Sequence, residues 1–98
     1  MTVNQIPEGK KLTIVVSGRL DTNSSPKLEA VLRQSVSGVT ELVFDFSGVE
    51  YLSSAGLRVL LAAQKVMNRQ GSMKLIGVSA DVMEVFEITG FSDILTVE

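Results

Sequence analysis

The chain has no cysteine, no histidine and no tryptophan. Without cysteine there is no disulfide and no thiolate metal site. Without histidine the commonest general base and the commonest metal ligand are both missing. Any catalysis would have to run on carboxylates, lysines and serines. Aromatics stop at four Phe and one Tyr, so the core must be aliphatic, built from Val, Leu, Ile and Ala. Nine basic and eleven acidic residues leave a formal net charge of −2, and they are scattered singly. No basic stripe offers itself to nucleic acid. No apolar run approaches membrane-spanning length, and no basic-then-apolar secretory signal opens the chain. The expectation is a cytoplasmic protein without membrane insertion, nucleic-acid partner, metal or cofactor.

Enzymatic patterns are missing as well. No glycine-rich loop carries a phosphate-binding lysine, since Gly48 and Gly56 lack the required spacing. No Ser-x-x-Lys follows Ser53 or Ser54, and no two carboxylates stand as an acid–base couple. A binding protein is expected rather than an enzyme.

What is present is alternation of strand and helix within a chain of 98 residues, long enough for one core and too short for two. A single domain over residues 1–98 is expected. Val3 to Ile6 reads as a short edge strand ended by Pro7 and Gly9. Lys11 to Ser17 is β-branched and reads as a strand, followed by a polar connection through Ser25. Ser25-Pro26 is a helix start, with Leu28, Val31, Leu32, Ser35 and Val36 on one face and an end at Ser37-Gly38. Glu41 to Phe46 predicts a second strand, apolar on both faces as for a central strand covered on two sides. A helix from Ser54 to Gln70 is apolar almost all round and is stopped by Gly71. Met73 to Val78 predicts another strand. Ser79 caps a third helix that runs through Ile88 to Gly90, and Ile94 to Val97 predicts a last strand. Short links between such elements imply parallel pairing with right-handed crossovers. The fold expected is α/β, a mixed sheet of four or five strands with three helices.

The segment from Asp45 to Leu61 carries the most chemistry. A strand leads through a polar loop to Ser53 and Ser54 at the mouth of a helix. Backbone amides at a helix start are unpaired, and the macrodipole there favours negative charge. A serine at that point can cap the helix or carry a phosphate that the helix end tolerates. Gly56 stands in the first turn, where Ala would be better by about 0.5–1 kcal/mol, so something must approach the backbone closely. Tyr51, Leu52 and Leu57 would leave an apolar rim beside the hydroxyls. Asp45, between Phe44 and Phe46, needs polar partners; it either bonds loop amides at the strand end or sits beside Ser53 and Ser54. Arg19 and Asp21 follow the first long strand on the sheet edge that ligands favour. With Arg58, one turn into the helix, they could frame a docking surface.

These residues resemble the STAS domain, the fold of bacterial anti-sigma-factor antagonists. The helix-start motif Ser53-Ser54-Ala55-Gly56-Leu57 is similar to the family's (Asp/Ser)-Ser-(Ser/Ala/Thr)-Gly-Leu. Gly18-Arg19-Leu20-Asp21 resembles its Gly-x-Leu-Asp loop. Gly71 with Met73 to Val78 is similar to its glycine turn and following strand, and Phe86-Glu87-Ile88-Thr89-Gly90-Phe91 to its Phe-x-x-(Ser/Thr)-Gly-Leu/Phe segment. The likeness runs from about Lys11 to Val97. It implies a phospho-switch: an anti-sigma factor serine kinase modifies Ser54, the unmodified protein binds that kinase, the phosphorylated form lets go, and a serine phosphatase resets it. The partner-contact residues expected are Arg19, Asp21, Ser53, Gly56, Leu57 and Arg58, with Asp45 in support. Ser53 replaces the Asp common in the family and is a second candidate acceptor. Many relatives continue past the position of Glu98 into a further helix, so the last strand is expected to be more exposed. The alternative is a STAS scaffold subunit of a transporter or other complex, in which the serines only cap.

Overall fold

The computed structural model describes all of residues 1–98. Thr2–Glu8 (β1) and Lys11–Leu20 (β2) form an antiparallel hairpin, turned at Gly9, whose φ of 64° favours glycine. Pro7 does not end β1, as its sequence suggests; it pairs with Leu12 from an outer strand, a position that tolerates a missing ladder donor. After α1 (Ser25–Ser35), Glu41–Leu52 (β3) pairs parallel with β2. After α2 (Ser54–Gln70), Ser72–Ile76 (β4) pairs parallel with β3. Then α3 (Ala80–Thr89) ends on Gly90 in the left-handed conformation, followed by a 3-10 turn over Phe91–Asp93. The mixed sheet thus has the order β1-β2-β3-β4.

Each parallel strand is added on the same side of its predecessor. Right-handed crossovers therefore lay the helices on one face of the sheet. Burial follows that arrangement. Leu12, Ile14 and Val16, Leu42, Phe44 and Phe46, and Met73 and Leu75 alternate into one core with Leu28 and Leu32 of α1, Leu60 and Met67 of α2, and Phe86 of α3. The opposite sheet face carries half-buried Thr13, Val15, Asp45 and Ile76, and its buried Val43 lies outside that core. The two-sided cover expected for β3 is not present. Likewise α2 is one-sided: Arg58, Ala62, Lys65 and Val66 are exposed.

Two further expectations are corrected. Ile94 to Val97 is not a strand. The 3-10 turn consumes the approach, and the segment meets β4 in a single parallel bridge between Leu75 and Val97, held by Leu75 N–H to Thr96 O and Glu98 N–H to Leu75 O, both 2.9 Å. β4 ends at Ile76 rather than Val78 because Gly77 turns the chain with φ of 69°.

The most consequential difference concerns β2 and β3. Both run well past their predicted ends at Ser17 and Phe46. Beyond the point where β4 stops beside Asp45, they continue as a two-stranded ribbon through irregular steps near Ser17 and Gly18 to Leu20 and Leu52. Leu20, Val49 and Leu52 are buried, and this gives the ribbon a reason to persist. Gly48 allows the close approach, since a Cβ there would lie 2.6 Å from that of Ser17, and Gly18 takes a φ of 92° at the irregular step.

Candidate functional site

The ribbon tip and the start of α2 meet at Ser53. Its amide donates to Leu20 O at 2.9 Å, so the helix begins on the last residue of β2. Its backbone is extended (φ −95°, ψ 173°), and its hydroxyl accepts from the Gly56 amide at 3.4 Å. Its carbonyl takes the Leu57 amide at 3.0 Å. Ser53 is therefore the cap. Ser54, the first residue of α2, is exposed, and its hydroxyl has no hydrogen bond.

Gly56 is explained by the core rather than by an external ligand. A Cβ there would lie 2.6 Å from Leu52 Cδ1 and 2.9 Å from Leu20 Cγ. The small residue lets α2 settle on the two leucines at the ribbon tip. Gly56→Ala is expected to lower stability by about 1 kcal/mol, because overpacking outweighs the gain in helix propensity. A thermal melt checks this; a raised midpoint would show that the leucines yield freely. Gly56 and Leu57 are both buried, and so is Leu52. They shape the surface without forming it, and the apolar rim reduces to Tyr51.

Tyr51 is 42% exposed and lies opposite Arg19 in the β2–β3 register. The Arg19 guanidinium carbon stands 4.2 Å from the ring centroid, a cation–π contact, and Nε is 3.9 Å from Asp21 Oδ2. Asp21 organises the turn into α1. Its carboxylate accepts from the amides of Asn23 and Ser24, both at 3.0 Å. Its carbonyl accepts from the Ser25 hydroxyl at 2.6 Å and the Ser25 amide at 2.8 Å. Ser24 stands at the cap position of α1 without capping it, because its hydroxyl is turned to the Asp21 amide and to Arg19 O.

The Ser24 amide and hydroxyl hold the Asp21 carboxyl below its usual range; desolvation opposes them more weakly, and the Asn23 amide and then Arg19 add still smaller lowering effects. A depressed carboxyl pKa gives stability that is present at neutral pH and lost as pH falls through about 4 and below. The gap in urea midpoint between wild type and Asp21→Asn should therefore be open at pH 7 and close in acid. Parallel curves would show that the charge does not hold the turn.

Arg58 projects from the first turns of α2, exposed and without an ion pair. With Ala55 and Val59 it faces Thr22, Ser25, Pro26 and Glu29 across a cleft of about 270 Å³. A larger groove, about 370 Å³, lies farther along the same two helices between Leu32, Val36, Val59 and Val66, away from the serines.

Asp45 stands apart from this group. It accepts from the Ser47 hydroxyl and from the Ser47 amide at 3.0 Å, which lower its pKa in that order. Gly77 packs against Ser47 there. At about 3.3 Å per residue, Asp45 lies roughly 20 Å back along the strand from Leu52. Of its two readings, the local turn is the one with hydrogen bonds.

A cap that frees its neighbour's hydroxyl, a charged ribbon tip beside it and the βαβ frame beneath agree with what comparison finds. A model of the STAS domain matches residues 2–98. The chain is a member of the STAS domain family. An anti-sigma-B factor antagonist of Listeria monocytogenes is 36% identical over 90 residues, covering 89% of this chain and 78% of that protein. The anti-sigma factor antagonist SpoIIAA, solved in its unphosphorylated form, superposes with a TM-score of 0.84 at 18% identity, covering 99% of this chain and 88% of that one. The Bacillus cell fate determinant SpoIIAA in its phosphorylated form gives 0.77 at 17% identity, covering 99% and 91%.

Within this STAS domain, Arg19, Asp21 and Tyr51 meet at the ribbon tip, which Ser53 joins through Leu20, while Ser54 and Arg58 stand on the first turns of α2. The sequence places Tyr51 only in the apolar rim beside the hydroxyls; its pairing with Arg19 is added by the structure. No helix is long and apolar enough to cross a membrane, and no cluster of carboxylates could hold a metal ion.

Proposed function

We propose that this STAS domain is an anti-sigma factor antagonist that binds an anti-sigma factor serine kinase when unmodified and is released when Ser54 is phosphorylated. The observation that carries the reading is the division of labour at the start of α2. Ser53 is occupied as cap, whereas the neighbouring Ser54 hydroxyl is exposed and unbonded. The names of the curated relatives support the antagonist role, and SpoIIAA, which has the same fold, exists in a phosphorylated form.

In the transfer step, Ser54 Oγ bonds to the γ-phosphorus of ATP held by the kinase. The bond from that phosphorus to the ADP oxygen breaks, and the hydroxyl proton leaves to a base on the kinase. A serine phosphatase reverses the state with water, releasing inorganic phosphate. This domain supplies the acceptor and the contact surface in the cytoplasm and no catalytic group. The contact residues are Arg19, Asp21, Tyr51 and Arg58 around the serines.

Incubation with the cognate kinase and ATP, followed by peptide mapping, tests the assignment. Label is expected on Ser54 and absent from Ser54→Ala. Label on Ser53 alone would move the acceptor by one residue, and label elsewhere would overturn the site. Partner binding indifferent to both Ser54→Ala and Ser54→Glu would favour a scaffold subunit.

A further inference from the structure

We propose that a phosphate on Ser54 is gripped from within the same helix by Arg58, so that modification both adds negative charge and withdraws the one unpaired arginine of this surface. The inference rests on the reading of Ser54 as acceptor. Ser54 and Arg58 stand four residues apart in α2, hence on one helix face and about 5–6 Å apart at Cβ. Helical side chains lean toward the N-terminus, so Arg58 leans toward Ser54, and acid before base is the favourable order. Both side chains are exposed, and neither is tied by a hydrogen bond or an ion pair. A guanidinium fork suits phosphate oxygens in a bidentate contact.

The other charges nearby are already engaged or of the wrong sign. Arg19 lies on Tyr51 and beside Asp21. Glu29, across the cleft, pairs with Arg33 on its own helix. Glu50, on β3, is an anion. Lys27, in the first turn of α1, is exposed and unpaired but does not line the cleft, so Arg58, on the cleft wall four residues from Ser54, is the cation placed to turn. In the unmodified protein it stands on the cleft wall, available to a partner's carboxylate. Once it closes on the phosphate, that cation is masked, and the surface changes sign in two ways at once.

The test needs no kinase. Phosphoserine is incorporated at position 54 during translation, and phosphorus NMR follows the second phosphate ionisation, near pH 6 for an unperturbed group, from about pH 4 to about pH 8. Removing Arg58 in Arg58→Gln is expected to raise that midpoint by about 0.2–0.4 pH units above the wild-type background. Arg58→Lys should recover part of the difference. Arg69→Gln deletes the same charge at the far end of α2 and should leave the midpoint in place. An unchanged midpoint in Arg58→Gln, or an equal rise in Arg69→Gln, overturns the pairing. Neither result touches the acceptor assignment, which stands or falls on the peptide map.

Discussion

Phosphoserine at position 54 is expected to weaken binding to the anti-sigma factor by roughly 30- to 150-fold while leaving the melting temperature almost unchanged. The two halves of that expectation have separate physical origins. The fold tolerates the group because it arrives at the first residue of α2 and points to solvent. The Gly56 and Leu57 amides are already taken by Ser53, but no bond within α2 reaches the amides of Ser54 and Ala55. These amides and the helix dipole receive about −1.5 to −2 charges without cost to the interior. At an interface the same group must be stripped of water or set against a partner's like charges. A penalty of about 2–3 kcal/mol there produces the stated loss. Ser54→Glu, a single charge without the phosphate's three oxygens, should lose less, about tenfold. Ser54→Ala should bind as wild type. Calorimetric titration against the anti-sigma factor, paired with a thermal melt of each form, separates the cases. Weakened binding together with a large drop in melting temperature would show that phosphate acts by loosening the fold.

The parts of this site that were legible in the sequence are those set by neighbouring residues. Ser53-Ser54 before an apolar helix announces a capped start, because the cap and the amide it bonds are three residues apart. Ser79 before α3 and Gly90 after it are legible for the same reason. The long ribbon was not. Alternation in β2 and β3 breaks at Ser17-Gly18 and Ser47-Gly48, where register shifts occur, and a pattern that loses its period reads as loop. Burial of Leu20, Val49 and Leu52 in the core keeps the strands paired, with Leu20 and Leu52 under Gly56 of α2, and that is a long-range contact. The Arg19–Tyr51 contact was hidden with it, since the shifted register decides which residues face each other. Gly56 shows the limit from the other side. A close approach could be inferred from the glycine, but its cause, Leu20 and Leu52, sits on two other elements. Asp45 offered two readings of similar weight until the position of Ser47 showed where its hydrogen bonds go.

A large stability effect is also expected from Gly71→Ala, far from the serines. Gly71 ends α2, and its backbone is extended, so no unusual conformation demands glycine. Space does. A Cβ there would lie 1.9 Å from Thr40 O and 2.6 Å from the carbonyl carbon. That carbonyl cannot retreat, because it accepts the Ser72 amide at 2.9 Å and so starts the β3–β4 pairing. The neighbouring turn is also fixed, since the Gln70 side-chain amide donates to Val36 O and Val39 O, both at 2.7 Å. A rigid backbone must shift by more than an ångström, and the Ser72 bond breaks. Overpacking and the lost hydrogen bond together cost about 3 kcal/mol or more, which is a fall of roughly 12–24 °C in melting temperature for a domain of this size. Gly38→Ala supplies the contrast. It has φ of 79° and nothing within 4 Å of the added Cβ, so only backbone strain is introduced, about 1 kcal/mol. If the two variants melt together, the Thr40 carbonyl is not what reserves position 71 for glycine. If they separate as expected, Gly71→Ala assayed well below its melting point should still accept phosphate on Ser54, because the cap and ribbon that present that hydroxyl lie at the opposite end of the helix.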